Sequence, residues 1–362
     1  MRMRPARFLL AALLVLAGCG ADDPGEPTAV RFTEVELPGG AKPVVLTQVG
    51  DTLLIGVRHD GRPVVPGLLR RDPDGTLAEI AVDPAGMYGQ QAFWYSIAAD
   101  GQRIVAIGGK TGGAHGNVRW SAWSGSRTGV AEQPQPFSTF GGYGAGDLID
   151  AVLTPEGPAL VGTWQNPAVG LDIMIWEPEG RYWVRRPSAG TALENTRESL
   201  KFPLAATGVD KGILIAGWEL ADGRQRPAVW RSESGGTGWD LTRLPDSGRA
   251  GAASAVRCTD STCTVAGWVD GELALWRLRD ATWTRVPDVP AVEVAQDEDL
   301  APPVDVEGRP TEILDDGSHV VLAGATTRPA EGPTGEVTAT ARVGRTLYVA
   351  AGDRLWQAEI AP

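Results

Sequence analysis

Leu160-Val161-Gly162-Thr163-Trp164, Ile215-Ala216-Gly217-Trp218 and Val265-Ala266-Gly267-Trp268 are one unit of sequence met three times. Each is an apolar run of strand length ending in a small residue and a tryptophan. Each leads to a short run ending in a second tryptophan, Trp176, Trp230 or Trp276. A polar turn follows, then a strand that opens on a third, Trp183, Trp239 or Trp283, and closes near proline. Ahead of each unit lies one more run of strand length, at 149–153, 204–208 and 252–256. Four short strands joined by turns, recurring every 45 to 60 residues or so, make the pattern of a propeller blade.

Fainter copies flank these three. One runs from Val44 to Ile80 and another from Phe93 to Val130, while Thr311–Leu314 and Val320–Ala323 supply the first two strands of a sixth unit. Thr338–Val343, Leu347–Ala350 and Arg354–Trp356 read as three strands of a closing blade. Its missing fourth is expected from the other end of the chain, where Phe32–Pro38 has the aromatic-to-Leu-Pro form of Trp239–Pro245. Such a clasp pairs the termini and removes open sheet edges. The expectation is all-β: a single propeller of four-stranded antiparallel blades, closed by the N-terminal strand. Seven blades are counted. The sixth is short, because about a dozen residues after Ala325 are too few for two strands, so six blades with an extra hairpin is the alternative. The 47 glycines and 27 prolines agree with many turns.

Before the ring, Arg2, Arg4 and Arg7 precede an apolar run from Phe8 to Ala17, too short to span a bilayer. The run ends in Leu16-Ala17-Gly18-Cys19, which resembles the signal peptides of bacterial lipoproteins. The resemblance implies removal of residues 1–18, a lipid on the Cys19 thiol, and a protein anchored to the membrane outside the cytoplasm without a transmembrane helix. Residues 19–28, rich in Gly, Asp, Pro and Glu, then read as a flexible tether, and 29–362 as the propeller domain.

The formal net charge is −12, and loss of the three signal arginines makes it three units more negative. That balance argues against a nucleic-acid partner or a basic surface for anionic lipid. With Cys19 assigned to lipid, Cys258 and Cys263 remain, flanking Thr259-Asp260-Ser261-Thr262. Two cysteines on either side of a tight turn in an oxidising compartment most simply form a disulfide across a hairpin. Their spacing is not a two-residue redox motif, and no histidine lies close for a metal site.

Turns after first strands are short, as at 155–157 and 210–212, whereas long connections fall at the other end of the strands. Those are the links 133–146, 187–201 and 287–310 and the loops 109–117, 165–171, 219–225 and 326–336. Loops on a rigid scaffold are where binding usually resides. Trp164, Trp218 and Trp268 point towards that end as candidate stacking platforms, with core packing their plainer role. Phe137, Phe140 and Tyr143, in a glycine-rich link, are further candidates. Gly108-Gly109-Lys110-Thr111 lacks the earlier glycine and the helix of a phosphate loop and reads as a loop. Asp297-Glu298-Asp299 could meet calcium, but an acidic run between prolines is ordinarily solvated. His59, His115 and His319 are too scattered for zinc or a triad.

Ser232-Glu233-Ser234-Gly235-Gly236-Thr237-Gly238-Trp239 resembles the Asp-box turn of sialidase-like propellers. Ser232, Gly236 and Trp239 stand at its serine, glycine and aromatic positions, and Ser234 replaces the aspartate. The motif is a folding element, and no catalytic residue is carried over from it. The expected function is therefore a binding or protein-interaction module at the cell envelope, monomeric, with a glycan or protein partner and no cofactor or metal. An exported glycan-active hydrolase of sialidase-like type is the alternative, and a purely structural envelope protein a third.

Overall fold

The computed structural model describes residues 29–360, apart from 62–63, 113–116, 260–261, 318–319 and 326–327. Residues 1–28, with Cys19, and His115 and His319 lie outside the described residues. Seven blades surround a central channel. Blades 1 to 5 begin with the strands Lys42–Val49, Phe93–Ala99, Ala145–Thr154, Ser199–Val209 and Gly251–Thr259, which line the channel. They end with the outer strands Leu77–Asp83, Gly129–Gln133, Tyr182–Arg186, Thr237–Arg243 and Thr282–Arg285, each blade being a four-stranded antiparallel meander. Blade 7 comprises Val337–Val343, Thr346–Ala351 and Arg354–Glu359. Its outer strand is Thr33–Val35, paired antiparallel to Arg354–Glu359 as the clasp requires.

Blade 6 corrects the count of strands made from the sequence. A short inner strand, Val304–Val306, precedes Arg309–Asp315 and Val320–Ala323, so the latter two are second and third strands. Three residues lack the length of a recognisable apolar run, and they hid within what reads as the link 287–310. The fourth strand, Arg328–Glu331, falls where a loop is expected and pairs in parallel with Ala29–Arg31. The N-terminal segment therefore completes two blades. Seven blades hold because the 326–336 stretch does supply a fourth strand, with residues 29–31 added in parallel outside it.

Inner strands run from the face carrying the links between blades (the link face) to the face carrying the tight hairpins (the turn face). Arg328–Glu331, an outer strand, runs the other way. Ala29–Arg31, parallel to it, and Thr33–Val35, antiparallel to a third strand, both run from turn face to link face. The described chain thus enters the ring on the turn face. Blades 1 and 2 close their own edges differently: Ala81–Asp83 pairs in parallel with Gly129–Ala131, fusing the two blades into one eight-stranded sheet.

Each sheet buries both faces, so the core is a ring of seven apolar layers between neighbours rather than one central mass. Leu46, Ile55 and Tyr348 fill the layer between blades 7 and 1; Val105, Leu160 and Trp176 that between 2 and 3; Ile175, Ile215 and Trp230 that between 3 and 4. The third-strand tryptophans Trp123, Trp176, Trp230 and Trp276 are fully buried in these layers. Two also pin the preceding link, the indole N–H of Trp176 donating to Thr139 O at 3.1 Å and that of Trp276 to Pro245 O at 2.8 Å. Six inner strands carry a one-residue register shift, at Val44, Tyr95, Ile149, Leu204, Ser254 and Thr338. Such a bulge bends a strand and re-aims its side chains, and here it brings Tyr95 and Thr338 to the channel wall.

Candidate functional site

The link face is less open than its sequence suggests. The expected loop 219–225 is a two-residue turn, Asp222-Gly223, both at positive φ, between strands that continue through Ala221 and resume at Arg224. The expected loop 165–171 shrinks likewise, and Gly108–Thr111 belongs to a strand, Ile104–Thr111. Backbone pairing carries these strands past the last apolar side chain, which is where the sequence pattern stops. The link 187–201 is packed down by one carboxylate: Asp172 accepts from Asn166 Nδ2 (2.8 Å), Ser188 Oγ (2.7 Å) and Asn195 N (2.7 Å). The link after blade 5 lies against Gly271–Leu273, with Leu273 N donating to Val292 O and Val294 N to Gly271 O. Its Asp297 and Asp299 are exposed, and Glu298 accepts from Ala295 N, closing a local turn.

The recurrent tryptophans turn out to be occupied. Trp268 is buried. Trp218 stacks on Phe202, with ring centroids 5.7 Å apart. Trp164 is covered on one side by the Arg185 guanidinium, 3.7 Å from its centroid, and the Gly144 backbone approaches so closely that a Cβ there would lie 3.0 Å from the indole. Arg185 is itself held by the carbonyls of Ser138 and Thr139. Phe140 packs into the layer between blades 2 and 3. Of the six residues picked out by sequence, Phe137 and Tyr143 are exposed, at 62% and 107% of full accessibility.

The exposed rings gather instead on blade 2 and the links on either side of it. Gly109 stands where blades 4 and 5 place Trp218 and Trp268. A Cβ on Gly109 would meet Val118 Cγ1 at 2.6 Å, Tyr95 at 3.0 Å and Trp120 at 3.2 Å. Without one, Tyr95 and Trp120 pack edge to face at 4.7 Å, and Phe93 meets Tyr95 at 5.8 Å. Trp120 continues into a groove of about 590 Å³ shared with Tyr88, Arg119, Phe137 and Phe140. Arg119 bridges its walls, its guanidinium 4.7 Å from the Phe137 centroid and 6.0 Å from that of Tyr88. On the opposite wall Glu132 accepts from Ala85 N (2.8 Å) and Gly86 N (3.2 Å), fixing the segment that carries Tyr88. Reading for recurrent tryptophans missed Tyr88, Phe93, Tyr95, Arg119 and Trp120, because they lie where blade 2 departs from the repeat. The signal was the Gly-Gly pair at 108–109 beside the aromatic run 93–95.

The channel, about 890 Å³, is lined by one arginine among the described residues, Arg257, and it is committed to structure: Nε donates to Pro303 O at 2.7 Å and Nη2 to Thr340 O at 2.6 Å. Burial depresses its pKa to about 10. Two blades round the wall from Arg257, Asp150 takes the Ala206 N–H at 2.7 Å and a hydrogen bond from Ser96, joining the inner strands of blades 2, 3 and 4. Burial raises its carboxyl to about 6, although part of its surface stays open to the channel. Glu312, behind Arg257, is wholly buried. Neither of its carboxyl oxygens finds a hydrogen-bond partner among the described residues, and desolvation drives its pKa well up.

Cys258 and Cys263 form a disulfide across the hairpin, directly opposite one another in the register. A disulfide fits an oxidising compartment. The segment 232–239 makes the hairpin between the third and outer strands of blade 4. Ser232 Oγ receives Ile213 N, the Trp239 indole donates to Gly236 O, and Ser234 Oγ donates to Glu156 of blade 3. Those contacts knit turns together on the turn face, away from the aromatic groove.

No family model matches the sequence, and no curated protein matches it. Solved structures do. Virginiamycin B lyase from Staphylococcus aureus, in a catalytically inactive form with quinupristin, superposes with a TM-score of 0.54 and 13% identity, over 92% of this chain and 100% of that one. The acylaminoacyl peptidase of Pyrococcus horikoshii gives 0.50 and 10%, over 85% of this chain and 49% of the peptidase. At such identities the likeness concerns the fold, and the fold is a β-propeller.

Proposed function

We propose that this protein is a lipid-anchored, extracytoplasmic binding module that presents its link face away from the membrane. The observation that carries the reading is the gathering of exposed rings around Arg119 on one sector of that face, where the other long links are packed down. Ala29 enters the ring on the turn face, so a lipid on Cys19 draws the turn face towards the bilayer and leaves the aromatic sector outward. Rigid rings that offer large area at little entropic cost are favoured contact residues in binding surfaces.

The test uses the full chain, extracted in detergent and immobilised, against envelope polysaccharides and peptides, with released sugar measured in the same wells. Retention without turnover, lost in a Tyr88→Ala/Phe137→Ala double variant, is expected. Release of sugar would make the protein a hydrolase and overturn the reading. A Cys19→Ala variant should leave the membrane fraction; retention there with lipid label would remove the anchor.

A further inference from the structure

We infer that the groove on blade 2 is a subsite for an acidic glycan, with Arg119 receiving the carboxylate of a hexuronate unit and the Phe93–Tyr95–Trp120 row receiving sugar faces. The inference rests on the binding-module reading and names its ligand.

Arg119 is the first ground. Most arginines of this ring are spent: Arg58 on Asp60 and Asp353, Arg186 on Glu177, Arg243 on Glu219, Arg257 on carbonyls. Arg119 forms no ion pair and no side-chain hydrogen bond among the described residues, and its Nε is buried without an acceptor. Two rings nonetheless hold it in place. A guanidinium oriented by aromatic faces and lacking an acceptor is preorganised for a planar anion, which it can bind through two parallel N–H···O bonds. The nearest carboxylate in the groove, Glu132, is already engaged by two backbone amides.

The second ground is what surrounds it. The three rings of the row meet edge to face, and Phe93 and Tyr95 are about 40% exposed. Exposed ring faces suit the C–H faces of a pyranose. An extended peptide would instead want a free strand edge to pair with. Blade 2 offers none on its outer side, because Gly129–Ala131 is paired with blade 1. The groove also runs on along Gln133–Pro136 to Arg181, which lies 4.8 Å from the Tyr182 centroid. Two ring-braced arginines along one groove fit a chain that repeats its carboxylate.

The experiment titrates the full chain in detergent with tri-galacturonate and with the neutral galactose trisaccharide, by calorimetry. Saturable binding of the acidic trisaccharide, at least tenfold weaker for the neutral one, is expected. Arg119→Gln should lose about tenfold on the acidic ligand and nothing on the neutral one. Arg119→Lys, which keeps the charge but not the fork, should fall between, and thermal melting establishes that both variants are folded. Equal affinity for the two sugars, undiminished binding by folded Arg119→Gln, or no binding of the acidic sugar overturns the inference. If the envelope screen still shows a ligand lost in the Tyr88→Ala/Phe137→Ala variant, the binding module stands and only the ligand class falls. If that screen is empty too, both fall.

Discussion

Asp150→Asn should stabilise this ring progressively as pH rises. The Asp150 carboxyl has an ordinary value of 3.8 and is pushed up to about 6 by burial, against the opposing pull of Ser96 and the Ala206 amide. An acid whose pKa is raised on folding holds more protons in the folded than in the unfolded state through that window. Stability therefore falls as pH climbs from about 4 to 6 and is flat beyond. A shift of roughly two units, at about 1.4 kcal/mol each, sets the cost of the charged carboxylate near 3 kcal/mol at pH 8. This is a ceiling, because Asp150 keeps some surface in the channel, where solvent screens it. Asparagine retains an oxygen for Ala206 N and carries no charge. The stability difference between variant and parent, from urea unfolding at several pH values, should thus grow by about 2 to 3 kcal/mol between pH 4 and pH 8. Half of that growth should be complete near pH 5. A difference that does not change with pH would refute the reasoning, showing that the carboxyl is no harder to ionise in the ring than in the open chain.

Reducing Cys258–Cys263, which closes a loop at a sequence separation of 5, should cost about 2 kcal/mol by loop-closure entropy; unfolding with and without reductant checks this, and unchanged midpoints would contradict it. Asp172→Ala strips the acceptor from Asn166, Ser188 and Asn195 and should cost about 3 kcal/mol. Limited proteolysis should then cut first within 187–201, and a link as resistant as the parent's would show that the network does not hold it. Removing residues 29–37 exposes the edge of Arg354–Glu359 and loses buried Val30, Phe32 and Leu37, worth about 5 kcal/mol in apolar burial. A chain truncated in this way should unfold at lower urea and aggregate, and an unchanged midpoint would show that the ring closes without its clasp.

Much of the ring was legible in the chain. The tryptophan triplets mark blades 3 to 5 because the third-strand indole always fills the same interlayer space, so the repeat in structure leaves a repeat in sequence. The clasp was legible for the same reason: Phe32–Pro38 copies the form of an outer strand. Blade 6 was misaligned because Val304–Val306 is too short to carry an alternation, and because its fourth strand borrows its partner from residues 29–31. The loops at 165–171 and 219–225 were overdrawn because backbone pairing extends beyond the apolar residues that signal a strand.

The sequence by itself determined the fold class, the blade period, the closure by the N-terminal strand and the local Cys258–Cys263 bond, since each depends on near neighbours or on a repeated pattern. Only the tertiary structure decided which rings are free. Trp164, Trp218 and Trp268 occupy neighbouring blade-end positions, yet Arg185, Phe202 and the ring's own core cover them, whereas Gly109 opens blade 2 and leaves Tyr95 and Trp120 at the surface. Whether an aromatic side chain packs or binds is set by what lies across the gap from it, and those residues stand more than ten positions away along the chain.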